Sequence, residues 1–174
     1  MGAQMKALTR SDEQSIQVFN TPIECGLRLV ALLAEAFPNR ADLQRLVNYD
    51  YLLVHSGDVV DGPPSIHPAT PHRSGELLVR RPLIEQGIRL MMSKSIIECE
   101  FSTEGITYFA GEWSVPFLNR LSADYTEALK ERARWVVSQF SRYSNNELTQ
   151  FMRSKWSSWG AEFEFESLVR TSDE

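Results

Sequence analysis

The sequence contains few of the features that mark common enzyme and metal-binding classes. Its two cysteines, Cys25 and Cys99, lie far apart and form no CxxC pair. Isolated thiols of this kind are typical of reduced, buried side chains in a cytosolic protein, not of a disulfide framework or a zinc ribbon. The phosphate-binding patterns GxxxxGK[ST] and GxGxxG are missing, as are HExxH and GxSxG. No cofactor is therefore expected, and both thiols are interpreted as small buried hydrophobes.

An excess of positive charge and a long apolar run are also lacking. The 174 residues include 18 Lys and Arg against 23 Asp and Glu, which gives a net charge of −5. A protein that binds nucleic acid over its whole surface usually has the opposite balance. The longest apolar run, RLVALLAEAF, is too short to cross a bilayer, and the first residues lack the apolar core of a signal peptide. We expect a cytoplasmic protein without a membrane segment.

The N-terminal third predicts two helices after a flexible leader over residues 1–19. The first begins with a capping box, in which Thr21 is the cap, Pro22 the first helical residue and Glu24 the third, and it ends before Pro38. The second, RADLQRLVNYDYLLVHSG, carries Asp50 on its apolar stripe. Because a buried carboxylate is costly without a partner, we expect Asp50 to meet an arginine or a backbone turn, in preference to a catalytic role.

The segment 57–75 has a different composition. It holds four of the eight prolines and three glycines, so it is predicted to be neither a helix nor a central strand. Such a segment is typical of a stiff, ordered loop, and ordered loops of this length often carry function.

The next elements complete a recognisable order. A short strand over Glu76–Arg80 is expected before a helix that begins at Pro82, because the residue before a proline disfavours the α conformation. Alternating apolar residues on both sides of STEG then predict a β-hairpin with Gly105 at the turn. The predicted order of helix, helix, strand, helix and hairpin is that of a winged-helix domain, whose third helix can enter a DNA groove.

The last third is predicted to form a helical arm with a short terminal strand. One long amphipathic helix starts near 122–124, and a second capping box, SNNE, starts a shorter helix. Strict alternation of apolar residues with glutamates in AEFEFE predicts the strand. The expected fold class is therefore α+β and mainly helical: a leader over 1–19, a winged-helix domain over 20–121, and an arm with an aromatic tail over 122–174.

The stretch HPATPHRSGELLVRR is the richest in chemically active side chains. A metal site would use His67 and His72 of this stretch with His55 and Asp58 upstream of it, but their spacing is irregular and no pair is fixed one helical turn apart, so this interpretation is disfavoured. The candidate residues of this structural or contact loop are His55, Asp58, His67, His72, Arg73, Arg80 and Arg81.

Two uses of the arginines remain open. Between residues 73 and 94 five basic residues oppose two acidic ones, a local charge of +3 that suits phosphate contacts, with Arg89 and Lys94 as the candidates on the third helix. Alternatively, Arg80 and Arg81 pair with nearby carboxylates and fix the loop to the domain.

The tail carries four large aromatic residues within ten positions. Burial in the protein's own core would explain them, but aromatic residues are also favoured interface anchors, and an alternating strand can add to a partner's sheet. We expect partner docking through Trp156, Trp159, Phe163 and Phe165.

The runs NTPIECGLRLVALLAEAFP, DLQRLVNYDYLLVHSGD, GPPSIHPATPHRSGELLVRR and LIEQGIRLMMSKSIIECEFSTEGITY resemble the middle component of bacterial ABC-three-component systems, which belong with Lamassu-type anti-phage defence. The resemblance covers about residues 19–140. It implies a small winged-helix protein without catalytic machinery, encoded beside an SMC-like ABC ATPase and an effector, often a nuclease. It also implies that the proline- and histidine-rich loop is a structural element and contact surface.

Three functions follow, in descending order of support. The first is a non-enzymatic adaptor that links the ATPase to the effector, with DNA contacted mainly through the complex. The second is a winged-helix transcriptional regulator that binds DNA through Arg89 and Lys94. The third is a metal-dependent hydrolase built on the histidine loop.

Overall fold

The computed structural model describes residues 21–69 and 73–155, with side chains from residue 79 onward in the second range. The elements in chain order are α1 (Pro22–Ala36), β1 (Ala41–Asp42), α2 (Leu43–Val54), a 3-10 turn (Ser56–Asp58), α3 (Arg73–Met92), β2 (Ile97–Ser102), β3 (Gly105–Ala110), α4 (Ser114–Asn119) and α5 (Asp124–Phe140). Residues 145–155 are also helical and are called α6. The described residues are thus mainly helical, as the sequence predicted, and include a small antiparallel sheet.

Local capping signals explain where several helices begin. The Thr21 hydroxyl accepts a hydrogen bond from the Glu24 amide at 3.2 Å, as the first capping box predicted. At the start of α6 both halves of the second box form, because Glu147 accepts from the Ser144 amide and the Ser144 hydroxyl accepts from the Glu147 amide. The side chain of Asp42 caps α2, a signal that the sequence analysis missed.

The prediction of a strand at Glu76–Arg80 is wrong. Residues 73–92 form one helix with Pro82 inside it, and this helix also includes the last three residues of the segment 57–75. Pro82 lies on the exposed side of α3, where water can hydrate the carbonyl that loses its helical partner. The third strand is instead β1, before α2, so the observed order is helix, strand, helix, helix, hairpin.

The sheet is small and its register is regular. Its strand order is β1-β3-β2 with both pairings antiparallel. The predicted hairpin is confirmed, and Gly105 sits at its turn with a φ of 128°, which L side chains rarely adopt.

Helix α1 lies at the centre of the hydrophobic core and packs against α3 and α5. Its crossing with α3 is close because Gly26 and Gly87 face one another: a Cβ on Gly87 would lie 2.8 Å from the Gly26 nitrogen. Cys25 is fully buried as expected, whereas Cys99 is only partly buried, because it lies on the hairpin beyond the densest packing. The short helix α4 was not predicted. The division of the chain at residues 19 and 121 stays a prediction.

Candidate functional site

Two arginines converge on one carboxylate at the centre of the helical core. Arg28 donates through Nε to Asp50 Oδ1 at 2.5 Å and through Nη2 to Oδ2 at 3.3 Å. Arg80 donates through Nη1 to Asp50 Oδ2 at 2.5 Å. The side chains of Arg28 and Asp50 are 0% exposed, and that of Arg80 is 3% exposed. We call these three residues the charge cluster.

Each member of the charge cluster comes from a different helix. Arg28 is on α1, Asp50 on α2 and Arg80 on α3, so the ion pairs join all three core helices. Removing charges from water is expensive, and the fork geometry of two guanidinium groups offsets that cost only while all partners are present. The cluster therefore fixes the mutual position of the helices. Of the two partners expected for Asp50, an arginine or a backbone turn, the structure shows arginine.

Neighbouring charges control ionisation within the cluster. Burial alone would raise the pKa of Asp50, but the positive charges of Arg28 and Arg80 outweigh it and lower that pKa below its ordinary range. Burial raises the pKa of the Cys25 thiol to about 12, so this cysteine is not a thiolate at neutral pH.

A second set of polar side chains attaches the loop after α2 to the core. The Tyr125 hydroxyl donates to Glu24 Oε1 at 2.5 Å, and His67 Nε2 lies 3.0 Å from the same hydroxyl and 3.5 Å from that carboxylate. Burial favours a higher pKa for Glu24, but contacts with His67, Tyr125 and Arg28 lower it overall. The loop, α1 and α5 are thus joined at one point.

Two other candidate residues of this region, His55 and Asp58, are also engaged internally. The Tyr51 hydroxyl donates to Asp58 Oδ2 at 2.7 Å, and the buried His55 ring packs 4.9 Å from the Tyr51 ring. The Val54 carbonyl accepts from the backbone amides of residues 66 and 67. Over residues 57–69 the segment is therefore an ordered loop.

The candidate residues of the sequence analysis are only partly brought together. His55, His67 and Arg80 are buried and Asp58 is half-buried, whereas Arg81 is exposed and lies 3.6 Å from Glu85. The His72 residue and the Arg73 side chain lie outside the described residues. Within residues 21–69 and 79–155 no group of three or more His, Cys, Asp and Glu side chains is placed to hold a metal ion.

The candidate DNA and partner contacts have different placements. Arg89 and Lys94 are exposed on α3 and just after it. The four tail aromatics, Trp156, Trp159, Phe163 and Phe165, lie outside the described residues, as does the predicted terminal strand.

The geometry limits the chemistry that the charge cluster can perform. Asp50 is enclosed and both its carboxylate oxygens contact guanidinium groups, so a substrate would reach it only by breaking buried ion pairs.

A groove of about 420 Å³ between α1 and the start of α6 contains Arg40 and Arg45. Arg45 donates to the Tyr143 carbonyl and to Asn145 Oδ1, and Arg40 pairs with Glu100, so these arginines also join parts of the chain.

The sequence analysis missed an exposed apolar pair at the outer end of the β2–β3 hairpin. Phe101 is 74% exposed and Ile106 is 42% exposed, and they are cross-strand neighbours. Charge points to the same place: residues 95–119 contain four glutamates and no Lys, Arg, His or Asp. That one-sided composition is the signal by which this surface could have been found.

Among the helices in the described part of the chain, none has the length and hydropathy needed to span a bilayer.

Comparison with known proteins gives one family. The family described as "ABC-three component (ABC-3C) system Middle Component 2" matches residues 18–162, which is most of the chain. No curated protein and no solved structure matches. The matched range includes the charge cluster, the ordered loop and the hairpin. The chain therefore belongs to the Middle Component 2 family of ABC-three component systems.

Proposed function

We propose that this protein is a non-catalytic adaptor that links an SMC-like ABC ATPase to an effector, a nuclease, in a Lamassu-type defence complex of the bacterial cytoplasm. The observation that carries the proposal is the family match over residues 18–162, since a middle component of a three-component system works with partner components. The partners' identities come from the sequence resemblance and are part of the proposal.

The use of the charged side chains supports a role without chemistry of its own. Two carboxylates with lowered pKa values, Asp50 and Glu24, contact arginine, tyrosine and histidine side chains of the protein itself. Perturbed ionisable groups often mark active sites, but ion-pair networks that hold a fold perturb pKa values in the same way. A cluster that joins three helices fits the second explanation.

We also propose that residues 20–121 form a winged-helix domain. The order helix, strand, helix, helix, hairpin supports this, as does a sheet in which the strand before α2 pairs with the second strand of the hairpin. In such a domain α3 would be the helix that faces a ligand and the β2–β3 hairpin would be the wing.

A winged-helix regulator that binds DNA directly is the second candidate. The exposed Arg89 and Lys94 favour it. The hairpin disfavours it, because Glu98, Glu100 and Glu104 would lie where a wing approaches phosphate groups. Direct binding would show as an affinity for duplex DNA that falls steeply with salt and is reduced by Arg89→Ala with Lys94→Ala.

In the adaptor proposal the protein responds to its partner's ATP cycle. DNA engaged by the ATPase would change the geometry of its ATP-binding heads, and a rigid linker that contacts both partners would transmit that change to the effector. The three-helix charge cluster supplies the rigidity that transmission of a small displacement requires.

The experiment is affinity purification of the tagged protein from its native host. We expect an SMC-like ATPase and a nuclease-like protein to be recovered in fixed stoichiometry. Replacing Trp156, Trp159, Phe163 and Phe165 together by alanine should reduce that recovery while circular dichroism of the isolated protein stays unchanged. Recovery of the wild-type protein alone would contradict the adaptor and favour the regulator.

A further inference from the structure

The β2–β3 hairpin carries its apolar face beyond the domain core. Along one face of β2 the exposed fraction rises from 1% at Ile97 to 74% at Phe101. Tyr108 and Ile106 follow the same course on β3, from partly buried to 42% exposed. Alternate residues of a strand share a face, so the core-facing side continues outward as an apolar pair, Phe101 and Ile106, which the described residues leave exposed.

The hairpin's own charged side chains have one sign. Residues 95–119 carry a net charge of −4, from four glutamates and no other ionised side chain. Three of them are exposed on the hairpin or at its turn: Glu104 is at the turn, and Glu98 and Glu100 are on the opposite face of β2 from Phe101, where Glu100 also pairs with Arg40. An extended segment beside β2 would therefore meet apolar side chains on one face and carboxylates on the other, which is complementary to a segment in which apolar residues alternate with Lys or Arg.

The sheet also offers an edge next to this pair. Because the strand order is β1-β3-β2, β2 has a neighbour on only one side among the described residues. An extended segment added there would form main-chain hydrogen bonds with β2 and place alternate side chains against Phe101.

We propose that the β2–β3 hairpin is a docking site for an extended, basic segment of a partner component, in which apolar residues alternate with Lys or Arg. This inference rests on the proposed adaptor function and assigns one of its two interfaces. The chain's own tail is a poorer occupant, because Glu162, Glu164 and Glu166 have the same charge as the hairpin. DNA is disfavoured for the same reason.

The first test maps the occupant directly. The complex is assembled from a chain that carries a photo-crosslinking phenylalanine analogue at position 101, and crosslinked peptides are identified by mass spectrometry. We expect a crosslink to a lysine- or arginine-rich segment of one partner component. A crosslink to residues 1–20 or 156–174, to a second copy of this chain or to DNA would overturn the proposal, as would the absence of any crosslink in an assembled complex.

The second test measures the contribution of each part of the surface. Phe101→Ser with Ile106→Ser should weaken partner binding by about tenfold or more, as expected for a central aromatic anchor. Glu98→Lys with Glu104→Lys should weaken it several-fold, and added salt should weaken the wild-type complex more than this variant. Glu131→Lys, an equally exposed reversal on α5, is the matched control and should have no effect.

The two proposals fail in different ways. If wild-type protein recovers its partners and both hairpin variants recover them equally well, the hairpin inference is overturned and the adaptor function stands. If wild-type protein recovers no partner component, both are overturned. Unchanged thermal unfolding of the hairpin variants excludes loss of the fold as the reason for weaker binding.

Discussion

The charge cluster and the outer end of the hairpin are opposites in how they use their side chains. Arg28, Asp50 and Arg80 are polar residues where apolar ones are normal, and each is enclosed by its partners. Phe101 and Ile106 are apolar residues where polar ones are normal, and they are exposed. In the charge cluster the charged groups bind one another, whereas at the hairpin the apolar side chains are available to a partner. The charged residues of the charge cluster therefore stabilise this fold, and the exposed apolar pair of the hairpin offers the surface for binding.

The largest effect should come from neutralising the centre of the charge cluster. Asp50→Asn keeps the side-chain volume but removes the carboxylate that both buried guanidinium groups share, leaving Arg28 with only Glu24, at 3.4 Å, as a counter-charge. We expect a loss of about 3–5 kcal/mol in the free energy of unfolding. Urea denaturation followed by circular dichroism measures this loss. Glu131→Gln, which neutralises an exposed carboxylate on α5, is the control and should change the midpoint little. Equal midpoints for the two variants would show that the cluster does not stabilise the fold.

The helix crossing beside the cluster should be the next most sensitive point. In Gly87→Ala the new methyl would lie 2.8 Å from the Gly26 backbone nitrogen, so α1 and α3 must separate. We expect a loss of about 1–3 kcal/mol, typical of overpacking. A tolerated alanine, with a thermal midpoint like that of wild type, would mean that the two helices pack less closely than described.

Lowering the pH should reduce the stability that Asp50 and Glu24 contribute to the fold. Both carboxyl groups have folded-state pKa values below their ordinary values of 3.8 and 4.5. The stability they contribute is therefore fully present above those ordinary values and is lost as pH falls through the lower folded-state values. In Glu24→Gln the urea midpoint should depend less on pH below about pH 4.5 than in wild type. A slope that the substitution leaves unchanged would contradict the role assigned to Glu24.

The smallest effect on stability is expected at the hairpin. Phe101→Ser with Ile106→Ser removes apolar groups that are already exposed, so the free energy of unfolding should change by only about 0.5 kcal/mol per residue. Differential scanning calorimetry of the isolated protein checks this. A loss as large as that of Asp50→Asn would show that the pair is part of the core, and would remove the contrast between the two regions.

Local chemistry explains which parts of this fold were predictable. The Thr21 cap, the capping box at Ser144 and the turn at Gly105 each depend on neighbouring residues and form as predicted, although the Glu24 side chain of the first box contacts Tyr125. The need for a partner beside Asp50 followed from the cost of burying a lone carboxylate, but the choice of Arg28 and Arg80 is set by helix packing.

The features that the sequence analysis got wrong or missed depend on residues that are distant in the chain. Pro82 was taken to start a helix because its missing N–H is cheapest there, yet α3 continues through it, since contacts of Arg80 and Ile84 in the core hold both halves in line. The two-residue strand β1 has no pattern of its own and forms only where β3 provides a partner. Tertiary contacts determine these features, so a short stretch of the sequence does not predict them.

Hydrogen exchange of the free chain and of the assembled complex, followed by mass spectrometry, tests the central claim most directly. The account predicts that binding slows exchange over residues 97–106, while peptides of α1 and α2 around Arg28 and Asp50 exchange equally slowly in both states. Slowed exchange over the loop 57–69 or around Asp50, with the hairpin unchanged, would contradict it, because the partner would then contact the cluster that we assign to the fold.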